Sequence, residues 1–250
     1  MEEKHILTIK ELAEYIRLNE KNVETSDKTR DSSEFLPNGS WKFELVSIEH
    51  HLQKELIESN DKDLDLVIRS NGHLVPLSQM TDETLINLDF HAETKNKALS
   101  KLAKIASMAR VVSSYEELYL ELKNRENLST TAIGNGVAIP HSRFPYPMIY
   151  KRPKLIIARS GVGVDFDAPD NKKVKLFFMP CAPNQFIHLR ILAQIAKIIH
   201  FPGMIEKLRK AATKQEFLTI IKTFEQSRIP SNFLPHNLTK AEERQNNKTA

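Results

Sequence analysis

The chain has 250 residues, 40% hydrophobic and 27% charged, with a single cysteine. That composition is of an ordinary globular protein long enough for one large domain or two small ones, and one cysteine excludes an intramolecular disulfide. The net charge of +4 conceals a division: residues 1–70 carry 10 Lys+Arg against 16 Asp+Glu, while the remainder carries 26 against 16. An acidic first part lacks the basic footprint of a nucleic-acid reader, and the basic second part suits an acidic or phosphate-bearing partner. The N-terminus, "MEEKHILTIKELAEY", is not a signal peptide, and the longest apolar patches, such as "LFFM", are far short of a membrane span. The expectation is a reduced, cytoplasmic protein with no membrane contact.

In chain order, "LTIKELAEYIRLNEKNV" predicts a helix with a capping box, Thr8 and Glu11. "PNGSWKF" predicts a turn and strand, and "SIEHHLQKELIE" another helix. The polar run Glu58 to Asp65 marks a boundary, giving a first domain over 1–60 and a linker over 61–75. In the second unit, "ETKNKALSKLAKIASMAR" predicts a helix with Ala98, Leu99, Leu102, Ile105 and Ala106 inward, and "SYEELYLELKNRE" a helix starting at Ser113 or Ser114. Val137–Ile139 is a short apolar segment, "KLIIARS" a strand, "GVGVDFD" a turn with its continuation, and "VKLFFMP" a buried strand. "NQFIHLRILAQIAKIIH", "GMIEKLRKAA" and "KQEFLTIIKTFE" predict three further helices. The alternation implies an α/β fold, a mixed sheet flanked by helices on both faces. From 227 to 250 periodicity is lost, predicting a flexible tail.

The stretch with most chemical promise is "IGNGVAIPHSR". Pro140 fixes its own φ and pushes Ile139 toward extended geometry, so a strand should deliver His141 to an exposed edge. Gly134 and Gly136 allow tight turning, and their amides are expected to cradle an oxyanion beside the imidazole. An imidazole titrates near neutrality and is a competent phosphoryl nucleophile. By itself the local pattern is a weak signal for that chemistry and reads first as a turn ending in a surface histidine. Cys181 reads as an inert core thiol. No H-E-x-x-H, C-x-x-C or P-loop pattern occurs, and no metal or cofactor is expected.

The longer run "RENLSTTAIGNGVAIPHSR", with "FDAPDNKKVKLFFMPCAP" and "IHLRILAQIAKII" downstream, resembles the phosphotransferase-system IIA domains of the fructose/mannitol/nitrogen-regulatory type over residues 76–226. The nearest subtype is the nitrogen-regulatory one. The resemblance implies that His141 accepts a phosphoryl group from an HPr-like carrier protein. It implies that the second family histidine, His188, hydrogen-bonds and orients that group. Arg125 matches a family arginine; it either offsets phosphoryl charge or simply ends a helix where a cation suits the dipole. Thr131 would offer a hydroxyl near the pocket, and Asn135 and Gly136 would contact phosphate, Asn135 alternatively serving only the turn. Ser142 and Ala132 stand where the family often has glycine.

Residues 6–56 resemble the excisionase/MerR-like winged helix-turn-helix, with "GSWKF" as the wing. Glu24, Asp27 and Asp31 fall where a reading helix wants Arg or Lys. Two roles remain open for this unit, DNA binding through residues 1–60 and protein interaction or dimerisation. The partners implied are the HPr-like phosphocarrier and regulated protein targets, with a homodimer as a further assembly.

Overall fold

The computed structural model describes residues 6–8, 33–35, 41–44, 75–143 and 152–228. In the first part, β1 (Ile6–Thr8), β2 (Ser33–Phe35) and β3 (Trp41–Glu44) form an antiparallel sheet in the order β1-β3-β2, with Phe35 opposite Trp41. The strand expected at "SWKF" is therefore present. The helices expected of a helix-turn-helix, and the tail beyond 228, lie outside the described residues.

The second part is a three-layer α/β domain. Its elements are α1 (Leu77–Met80), β4 (Ile86–Asn87), α2 (Lys95–Met108), α3 (Tyr115–Leu128), β5 (Ala132–Gly134), β6 (Val137–Ala138), β7 (Lys154–Val164), β8 (Val174–Cys181), α4 (Gln185–His200), α5 (Met204–Lys210) and α6 (Lys214–Arg228). The five strands lie in the order β4-β7-β8-β6-β5, with β4 parallel to β7, β8 parallel to β6, and the other pairs antiparallel.

Strand periodicity separates two cores. Leu155, Ile157, Leu176 and Phe178 point to the side covered by α1, α4, α5 and α6. Ile156, Ala158, Phe177 and Met179 point to the side covered by α2 and α3. This is the period-2 alternation of a strand, with both phases apolar because both faces are covered. The long helices begin where the sequence places caps. Thr94 accepts from the Lys97 amide (3.3 Å), Ser114 from Glu117 (3.2 Å) and Asn184 from Ile187 (3.0 Å), each satisfying an otherwise orphaned donor.

One expected turn is a strand instead. β7 continues through "GVGV", with a register irregularity between Arg159 and Val164 and Gly163 at φ +76°. The irregularity absorbs the glycines without ending the pairing.

The β5–β6 hairpin turns through three consecutive left-handed residues, Gly134 (φ 85°), Asn135 (φ 52°) and Gly136 (φ 69°). A Cβ on Gly136 would overlap Nη2 of Arg209 and stand 3.2 Å from the Lys173 carbonyl. Gly136→Ala is expected to cost roughly 1–2 kcal/mol from the left-handed backbone alone, with more from the displaced guanidinium. A chemical-denaturation midpoint measures it, and an unchanged midpoint would refute the constraint.

Candidate functional site

His141 lies three residues past the end of β6, and His188 lies in the first turn of α4, which follows the parallel neighbour β8. The carboxyl ends of neighbouring parallel strands thus bring the two rings together. Their centroids are 4.9 Å apart with planes tilted by 40°. The C-terminal turn of α3 adds Arg125, whose Nη1 donates to the Ser129 carbonyl (3.0 Å) and whose charge acts on both imidazoles. His141, His188 and Arg125 are 5%, 8% and 7% exposed.

His141 is therefore not on an exposed edge, as the sequence suggested. β6 is an interior strand, flanked by β8 and β5, and the ends of α3 and α4 converge on the point where it stops. The ring is buried beside the His188 ring and within reach of the Arg125 charge, and the residues that follow it, Ser142 and Arg143, are half-buried.

The Nδ1 of His141 lies 2.7 Å from the Ile139 carbonyl. A carbonyl oxygen only accepts, so Nδ1 carries the proton and, in the neutral ring, Nε2 carries the free lone pair. Burial, His188 and Arg125 together hold His141 well below the usual histidine range. Burial, with Arg125, brings His188 down to about 4. Both rings are thus neutral at pH 7. One presents a nucleophilic nitrogen and the other can donate a hydrogen bond without adding charge.

The glycine turn does not belong to this site. Asn135 and Gly136 are at the opposite end of β6, and five residues of extended chain from Gly136 to His141 cover on the order of 15 Å. The Asn135 amide donates to Asp170 (2.8 Å) and its carbonyl accepts from Arg209 (2.5 Å). Their expected contact with phosphate is corrected: the strand that presents the histidine also carries it away from the turn. Thr131 is also reassigned. Its hydroxyl and amide donate to the buried Glu126 carboxylate at 2.5 and 3.1 Å, and its carbonyl accepts from the Ile139 amide at 3.0 Å. Thr131 fastens the lead-in strand instead of offering a hydroxyl to the pocket.

Glu126 is the residue the sequence reading passed over. Its carboxylate holds Thr131, Thr131 holds Ile139, and the Ile139 carbonyl fixes the His141 tautomer. The available signal was an acidic residue five positions before a threonine, too common to single out.

Burial sets opposing titrations within the domain. Glu225 of α6 accepts from the Ser78 amide at 3.3 Å, and burial raises its carboxyl from 4.5 to about 7. Its contribution to stability is full below pH 4.5 and lost as pH rises through 7. The His188 contribution is full above pH 6.5 and lost as pH falls through about 4. At about 1.4 kcal/mol per pH unit, each amounts to about 3 kcal/mol, and the two offset one another. Glu225→Gln should remove one side, so that from about pH 4 to 6.5 the variant gains about 3 kcal/mol more stability than the wild type does, His141 acting in the same sense as His188. Denaturation at the two pH values checks this; an equal midpoint at both would contradict the buried neutral histidine.

The three-layer α/β domain holds two neutral histidines and an arginine at the ends of parallel strands, and among the described residues no cluster of three or more His, Cys, Asp or Glu side chains could hold a metal ion. The family model for the phosphoenolpyruvate-dependent sugar phosphotransferase system, EIIA 2, matches residues 79–224. The chain belongs to that family, whose members are phosphotransferase components that carry a phosphoryl group. It is 34% identical over 142 residues to the fructose-specific EIIA component of Haloferax volcanii, covering 56% of this chain and 90% of that protein. It is 32% identical over 152 residues to a nitrogen regulatory protein of Bradyrhizobium diazoefficiens, covering 59% and 95%. Among solved structures it is similar to the nitrogen regulatory protein IIA-Ntr of Neisseria meningitidis, with a TM-score of 0.52, 27% identity, and coverage of 58% and 97%. Among the described residues no helix is long and apolar enough to cross a membrane.

Proposed function

We propose that the chain is a phosphohistidine carrier of a regulatory, nitrogen-type phosphotransferase system. It takes a phosphoryl group from an HPr-like carrier on Nε2 of His141 and controls partner proteins by its phosphorylation state. What supports this most is the 2.7 Å contact of His141 Nδ1 with the Ile139 carbonyl, which leaves Nε2 as the nucleophile. In the transfer, the Nε2 lone pair forms the N–P bond as the donor's N–P bond breaks, and the donor imidazole keeps the departing electron pair. Nδ1–H stays on Ile139. His188 donates to a phosphoryl oxygen, and Arg125 balances the developing charge. The similarity to nitrogen regulatory proteins supports the regulatory subtype, and the fructose-specific relative at 34% identity supports transfer onward to a sugar transporter as the second reading.

The test is incubation with a phosphorylated HPr-type carrier, followed by peptide mapping. Acid-labile phosphate on the peptide spanning residues 133–143 is expected. With a depressed histidine pKa, the initial rate should stay level from pH 8 to pH 6 once the donor's own pH dependence is divided out. An unlabelled chain, or a rate halving near pH 6.5, would count against the assignment.

A further inference from the structure

The end of the sheet opposite His141 has its own opening. Val162 of β7, the Lys172–Lys175 segment entering β8, and Ile205 and Arg209 of α5 surround a cleft of about 640 Å³ at the Asn135–Gly136 turn. Four cations line it against one carboxylate, Glu206. That carboxylate is committed to Arg209 at 2.7 Å, and nearby Asp170 is shared between Lys172 (3.5 Å) and the Asn135 amide. Among the described residues, Lys173 and Lys175 have no carboxylate partner. Val162 is 69% exposed, and half-buried Ile205 gives the cleft a second apolar surface.

We propose that this cleft binds an acidic peptide segment of a partner protein, one with several carboxylates around an apolar side chain. Unpaired lysines beside exposed valine set that chemistry: ammonium groups on flexible stems meet carboxylates, and Val162 and Ile205 take an apolar anchor. A compact phosphate fits less well. Nη1 and Nη2 of Arg209 are taken by Glu206 and the Asn135 carbonyl, its unpartnered Nε is buried away from the cleft surface, and the Asn135 amide is held by Asp170, so no rigid cradle of exposed donors remains. No aromatic side chain lines the cleft on which a nucleobase would stack. The position matters too, since a partner held here leaves the His141 end open to a phosphoryl donor. This inference does not depend on the phosphocarrier reading.

The probe is a fluorescein-labelled decapeptide of Asp and Glu with a central Leu-Leu pair, titrated with the full chain at about 50 mM salt, where screening is weak. Lys173→Glu/Lys175→Glu should weaken binding by about tenfold or more, and Val162→Ser by about threefold. Lys97→Glu/Lys104→Glu, the same charge change on exposed positions of α2, should leave it within about twofold. Amide shifts of the isotope-labelled wild-type chain should move at Val162, Lys173, Lys175 and Ile205, which keeps the test valid if a variant misfolds. Equal losses in both double variants, shifts confined to other surfaces, displacement by millimolar inorganic phosphate, or tighter binding of single-stranded DNA than of the peptide would each overturn the proposal.

Discussion

Replacing His141 by alanine is expected to reduce phosphoryl transfer onto the chain by roughly 10³-fold or more. In the proposed transfer the nucleophile is a single nitrogen, and its neighbour is not placed to replace it. His188 is near in space, but it approaches from α4 and lacks the Ile139 carbonyl that fixes the His141 tautomer. The substitution removes a buried ring whose Nδ1 donates to the Ile139 carbonyl, and a thermal melt showing a folded variant separates lost chemistry from lost structure. Residual transfer within tenfold of wild type would show that another group is the acceptor.

The second large effect belongs to Arg125. It is buried at the C-terminal turn of α3 and anchored to the Ser129 carbonyl at 3.0 Å. Its charge disfavours protonation of both histidines, and in the proposed transfer the same charge would act on the equatorial phosphoryl oxygens of the transition state. Arg125→Gln should lower the transfer rate by roughly 10²-fold to 10³-fold, the usual effect of removing a preorganised donor. It should also raise the His188 pKa from about 4 toward the ordinary histidine range. Ring-proton NMR titration reads that shift without any donor protein. A variant with unchanged transfer and an unmoved histidine titration would make Arg125 a helix-terminating residue and nothing more.

Much of the fold was legible in the sequence because its signals are local. Thr94, Ser114 and Asn184 cap helices where a hydroxyl or amide precedes an apolar period. "VKLFFMP" is a strand buried on both faces and reads as one. What escaped depends on the rest of the chain. β4 is only Ile86–Asn87, too short for a period, and exists because β7 offers it a parallel edge.

The site was legible as a motif and misleading as geometry. Proximity along the chain placed the glycine turn beside His141, but an intervening strand holds them apart. The proline suggested an edge, yet the converging ends of α3 and α4 bury the ring to 5% exposure. Glu126 and Thr131 were separable only once the α3–β5 connection had folded the carboxylate onto the threonine amide. Arg125, open between two roles in the sequence, is placed by the fold where it influences both rings.

The most direct measurement is phosphorus–nitrogen correlation NMR on the chain labelled at its histidine rings and phosphorylated by an HPr-type donor. Phosphorus bonded to Nε2 of His141, with Nδ1 still protonated, is the predicted result. Phosphorus on Nδ1 of that ring, or on His188, would contradict it.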